Sequence, residues 1–105
     1  MSETVKYSQG EIRLDYSDSS LLKVGLTGCL SVDTMGCGEG KNYRQAEQEA
    51  QLYLIRNAIL KKPNCHLRNP RCHLKEIVGI KQETSYNNEK EGIVKIVLSG
   101  TAIFK

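Results

Sequence analysis

The chain has no tryptophan, one phenylalanine and two prolines among its 105 residues. A large aromatic core is therefore excluded. The buried residues must be mainly Leu, Ile, Val and Ala, with some of the five tyrosines. No apolar run approaches the roughly 20 residues of a membrane-spanning helix. Charge of one sign is also lacking: 15 Lys and Arg against 12 Asp and Glu leave +3. That excess is too small to point to nucleic acid. The start, Met1-Ser-Glu-Thr-Val-Lys6, lacks the basic, apolar and small-residue order of a signal peptide. Two histories fit it: a cytosolic protein, or the mature segment of an exported one.

A chain of this length is expected to be one domain, residues 1–105. Glu11 to Tyr16 alternates polar and apolar, the period of a half-buried strand. Leu22, Val24, Leu26, Leu30 and Val32 share one parity and predict a second strand over 21–32. Val5 and Tyr7 suggest a short leading strand. Thr34 to Lys41 reads as a loop into a helix. Asn42 is a suitable N-cap, and Gln45 stands three residues on as in a capping box.

The helix is expected from Asn42 to about Lys62, ended by Pro63. Its core stripe is Ala46, Ala50, Tyr53, Leu54, Asn57 and Ala58, with Leu52, Ile55 and Ile59 beside it. Ala46 and Ala50 are small enough to let a sheet lie close. A third strand is expected over 73–83, a polar hairpin connection from Thr84 to Gly92, and a fourth strand over 93–104. On that last strand Ile93, Val97 and Ile103 sit on the otherwise polar parity, so its second face is not purely solvent. The expected fold class is α+β: ββαββ, a four-stranded, mainly antiparallel sheet with one long helix packed on one face.

Met35-Gly-Cys-Gly-Glu-Gly-Lys-Asn42 looks like a phosphate loop but fails its pattern. Met35 stands where the first glycine belongs, and Asn42 where Ser or Thr would hold magnesium. A flexible strand-to-helix turn explains it more simply.

Four cysteines in so short a chain favour an oxidised, exported protein. Cys29-x7-Cys37 and Cys65-x6-Cys72 do not have zinc-site spacing, and His66 and His73 each directly follow a cysteine. No metal or other cofactor is expected. A helix of 20 residues is about 30 Å long, too far for Cys37 to bridge Cys65. Cys65–Cys72 is the simplest disulfide, contributing roughly 2–3 kcal/mol by loop closure. Cys29–Cys37 would be the second, although Cys29 falls on the parity facing away from the helix. A catalytic Cys37 near the helix N-terminus would lack a base, since both histidines follow the far end.

From Arg56 to Lys75 there are six Lys or Arg and no acid. His66, Arg68, Arg71 and His73 form the candidate contact surface, in loop 63–73, for an acidic protein or an anionic surface. No aromatic residue lies in that loop, which argues against stacking on single-stranded nucleic acid. The plainer reading is a solvated loop beside helix-dipole charges.

The run Gly36 to Ala50, continuing through Ile55-Arg-Asn-Ala-Ile59, resembles small exported bacterial envelope lipoprotein domains. In these a glycine turn leads to an alanine-spaced helix and then a hairpin. The resemblance is one of layout over about residues 24–104. It is looser to disulfide-bonded envelope stress sensors, from which the chain departs in cysteine placement and in its added Cys-His loop. It implies an envelope or secreted setting and a non-catalytic role, and transfers no functional residue. The expected function is thus a non-enzymatic exported binding or structural module. The alternatives are a cytosolic metal- or RNA-binding domain and a thiol enzyme using Cys37.

Overall fold

The computed structural model describes residues 2–7, 10–16, 30–61 and 73–104. Its elements are β1 (Ser2–Tyr7), β2 (Gly10–Asp15), β3 (Leu30–Gly40), α1 (Tyr43–Leu60), β4 (Leu74–Asn88), a 3-10 turn (Glu89–Glu91) and β5 (Ile93–Phe104). Among the described residues five strands form one sheet in the order β1-β2-β4-β5-β3. The sheet is mixed. β2 runs parallel to β4 at Arg13↔Glu76 and Leu14↔Ile77, and the other pairs are antiparallel.

This overturns the four-stranded, mainly antiparallel ββαββ scheme with a helix laid on one face. The molecule is mostly sheet, and the sheet curls as a half-barrel. Two differences account for the correction. The segment before the helix has the composition of a loop, yet it is strand as far as Gly40. Among the described residues the partners of the strand at 11–16 are β1 before it and β4 beyond the helix, the latter parallel. Within the expected 21–32 strand, residues 21–29 lie outside the described ones, and β3 begins at Leu30.

β4 and β5 form a hairpin, as the pattern predicts, but β4 runs on to Asn88. The polar residues 84–88 pair with β5 instead of looping, and the turn is confined to Glu89–Gly92, where Gly92 takes φ 71°. Three register shifts interrupt β4, between Leu74 and Glu76, Val78 and Lys81, and Gln82 and Thr84. Such bulges bend a strand and raise its twist, which helps the sheet to curl. Val94, Ile96, Leu98, Ala102 and Phe104 of β5 face the core with Ile12, Leu14, Ile77 and Ile80. On the opposite parity Val78, Thr101 and Ile103 are also buried.

The helix begins as the sequence predicts. The Gln45 backbone N–H donates to Asn42 Oδ1 at 3.0 Å, and Gln45 Oε1 accepts from the Lys41 N–H at 3.0 Å. Ala46, Ala50, Leu54, Ile55 and Ala58 are buried. Tyr53 and Leu52, expected in the stripe, are exposed, and Gln51 is buried in their place.

The nearest neighbour of α1 is β3. A Cβ on Gly36 would fall on the Ala50 carbonyl oxygen and the Leu54 backbone nitrogen. One on Gly38 would fall on the Ala46 carbonyl oxygen and the Ala50 nitrogen, and one on Gly40 would lie 2.8 Å from the Ala46 nitrogen. The match is periodic. Two strand residues rise about 6.6 Å and four helix residues about 6.0 Å. The glycine steps and the alanine steps therefore stay aligned as strand and helix run in opposite directions. Thr34 Oγ1 donates to the Leu54 carbonyl at 2.8 Å, Asn57 Nδ2 to the Met35 carbonyl at 2.6 Å and Lys61 Nζ to the Asp33 carbonyl at 3.2 Å.

Candidate functional site

Of the residues singled out from the sequence, Cys29, Cys65, His66, Arg68, Arg71 and Cys72 lie outside the described residues. Cys37 and His73 lie within them. The glycines occupy the helix-facing positions of β3, so Cys37 points the other way, exposed and unbridged. The sequence suggests a place beside the helix N-terminus; alternation along a strand puts the thiol on the opposite face. His73 is exposed at the start of β4, where Leu74 pairs with Phe104 and Phe104 with Leu30. Cys37 lies seven residues along β3 from Leu30, about 23 Å at a strand's rise. His73 is thus out of reach as its base. Among the described residues no group of three or more His, Cys, Asp or Glu could hold a metal ion. None of their helices is long and apolar enough to cross a membrane.

The structure places His73 on the rim of a cavity of about 570 Å³. Its described lining is Tyr7, Glu11, Ile59, His73, Leu74, Lys75 and Phe104. Five elements meet there. Parallel pairing of β2 with β4 brings Glu11 toward Lys75, and the last turn of α1 supplies Ile59. Leu74 and Phe104 are almost wholly buried and form the wall, while Tyr7 and Ile59 are half-buried. The chain leaves the described fold after Lys61 and rejoins it at His73.

Sequence reading missed Tyr7 and Glu11 as members of this group. Tyr7 did carry a signal, an aromatic on the apolar parity of a leading strand. Glu11 carried none, because its proximity to His73 depends on a strand pairing across the whole chain.

A second cavity, of about 500 Å³, lies between β1 and the first half of α1. Glu3, Thr4, Val5, Arg44, Glu47, Gln48, Gln51 and Leu52 line it. Gln51 Nε2 donates to Glu3 Oε1 at 2.8 Å and to the Tyr16 phenol oxygen at 2.6 Å. Burial pushes the Tyr16 phenol up to about 12; the Gln51 hydrogen bond works against this, and the negative charges of Glu3 and Glu47 add to it. One buried amide thus ties β1 and the end of β2 to the helix.

The chain matches no protein-family model, no curated protein and no solved structure. Its functional reading rests on its own residues.

Proposed function

We propose that the chain is a non-enzymatic, exported binding module that docks an acidic protein segment where residues 63–73 join the fold. The observation that carries this reading is the cavity at that junction, with His73 and Lys75 on its rim. Its volume falls within the roughly 300–1,000 Å³ usual for ligand sites. In the sequence Arg71 is two residues from His73, and Lys62 directly follows Lys61. The stretch from Arg56 to Lys75, with six Lys or Arg and no acid, supports an anionic partner, and the even cysteine count supports export.

Titration of isotopically labelled protein with an Asp- and Glu-rich peptide tests the binding reading. The amide signals of His73 and Lys75 are expected to move. The shifts should fade as salt shortens the screening length from about 10 Å at 0.1 M to about 3 Å at 1 M. An Arg68→Glu/Arg71→Glu variant should not respond. Shifts confined to the outer face of β3, or none, would sink the reading.

Export is tested by intact mass after alkylation without reduction. With Cys65–Cys72 closed, Cys37 and Cys29 are labelled and the other two are not. Four labelled thiols would remove the disulfide and with it the main argument for an oxidising compartment.

A further inference from the structure

Independently of the docking at residues 63–73, we propose that the outward face of α1 is a self-association surface, on which a second copy of the chain packs its own α1 antiparallel. Ala46, Ala50, Leu54 and Ala58 turn the helix toward the core. On the opposite side Glu49, Leu52, Tyr53, Arg56 and Leu60 follow the i, i+3, i+4, i+7, i+11 spacing of a single helix face. All five are exposed. Leu60 is 75%, Leu52 49% and Tyr53 41% open to solvent, and they are three of the six exposed large hydrophobics among the described residues. Single exposed apolar residues are ordinary, but their gathering on one face marks a contact surface.

The two charges on this face select the occupant and its direction. Glu49 and Arg56 stand seven residues apart, about 10.5 Å along the axis. Among the described residues neither has an ion-pair partner within the chain. In an antiparallel pair with its two-fold axis between Leu52 and Tyr53, Glu49 of each copy faces Arg56 of the other. Leu52 of each copy meets Tyr53 of the other between those two charge pairs. A parallel pair would set Glu49 against Glu49 and Arg56 against Arg56. An antiparallel pair centred on Arg56 would set guanidinium against guanidinium. Like charges reject both arrangements. A two-fold contact requires one patch that complements itself, and the order acid, apolar, apolar, base does so. Exposed ion pairs add little affinity, so Leu52 and Tyr53 hold the pair and the charges fix its register.

Sedimentation of the full chain from about 1 μM to about 1 mM tests the proposal, a span that covers weak interfaces. A monomer–dimer equilibrium is expected. Glu49→Arg alone turns both ion pairs into like-charge contacts and should raise the dimer Kd about tenfold, as should Arg56→Glu alone. Glu49→Arg combined with Arg56→Glu in one chain re-forms both pairs and should restore the wild-type Kd. Leu52→Ser should abolish the dimer. The three positions are exposed, so the Tm of the dilute monomer should not move in any variant. Rescue by the double reversal keeps the contrast decisive even if Leu52→Ser lowers stability.

A chain still monomeric at about 1 mM would overturn the proposal. A dimer indifferent to the single reversals would place the contact on another face, and one that the double reversal fails to restore would exclude the antiparallel register; either overturns it. A monomer that binds phosphatidylglycerol vesicles through Leu52 would overturn it in favour of a lipid surface.

Discussion

On its β3 side helix α1 meets three glycines; on its β1–β2 side it meets a carboxylate and a phenol through one glutamine. The first contact is backbone against backbone, with no side chain between to adjust. The second is a polar bridge beside a cavity of about 500 Å³. One side of the helix is thus fixed by the absence of atoms, and the other by hydrogen bonds whose partners can shift. The two sides should tolerate change very differently, and substitutions on each side can set one against the other.

The largest effect is expected at Gly38. An added Cβ would land on the Ala46 carbonyl oxygen and the Ala50 nitrogen, which are helix backbone and cannot rotate away. Gly38→Ala should therefore cost about 3 kcal/mol, the upper end of overpacking effects, or prevent folding. Gly92→Ala is the matched control. Gly92 takes φ 71° but has open space around its α-carbon, so the cost there is only the left-handed backbone, roughly 1–2 kcal/mol. Urea unfolding of both variants makes the measurement. A Gly38→Ala protein as stable as the Gly92→Ala one would show that helix and strand can separate without penalty.

Gly38 also shows what was legible in the sequence. The capping pair Asn42 and Gln45 is local chemistry and could be read directly, as could the alternation of β5 and the small residues Ala46 and Ala50. Three glycines in five positions read as a turn, because glycine weakens an isolated strand. What makes them strand is the alanine-lined helix across from them and an unbroken pairing with β5 from Leu30 to Gly40. Neither is local.

Gln51 is polar and so falls outside any apolar helix stripe, and its burial depends on Glu3 and Tyr16, 48 and 35 residues away. The candidate site was legible only in part, for the same reason. The basic run named its end of the molecule and His73. Tyr7 and Glu11 reach that end only through the parallel pairing of β2 with β4.

A middle-sized effect is expected at Gln51. Gln51→Leu keeps the volume and removes both donors, leaving Glu3 and Tyr16 without the amide that ties them to the helix. The cost should be about 2 kcal/mol, within the range for orphaning partly buried polar groups. It should come with faster amide exchange in β1 and β2 and none in β3. Uniformly faster exchange in all three strands would mean that the two sides of the helix are not independent, which would undo the comparison.

The smallest effect concerns pH, and its larger part belongs to the β1–β2 side. The folded Tyr16 phenol titrates at about 12, against about 10 unfolded. Below pH 10 both states hold the proton and stability is unaffected. Between pH 10 and 12 the unfolded chain has lost the proton and the folded chain keeps it. The unfolded state then binds fewer protons, so stability falls as pH rises. Tyr16 is only half-buried, and after discounting for solvent screening the loss is on the order of 1 kcal/mol. Tyr43 is also raised, chiefly by desolvation, and contributes a loss of the same sign. The difference between wild type and Tyr16→Phe isolates the Tyr16 part. Denaturant midpoints measured from pH 9 to 12 should fall more steeply for the wild type above pH 10. Parallel curves would mean that the phenol beside Gln51 is already as hydrated as it is in the unfolded chain, and that the polar side of the helix is looser than its hydrogen bonds imply.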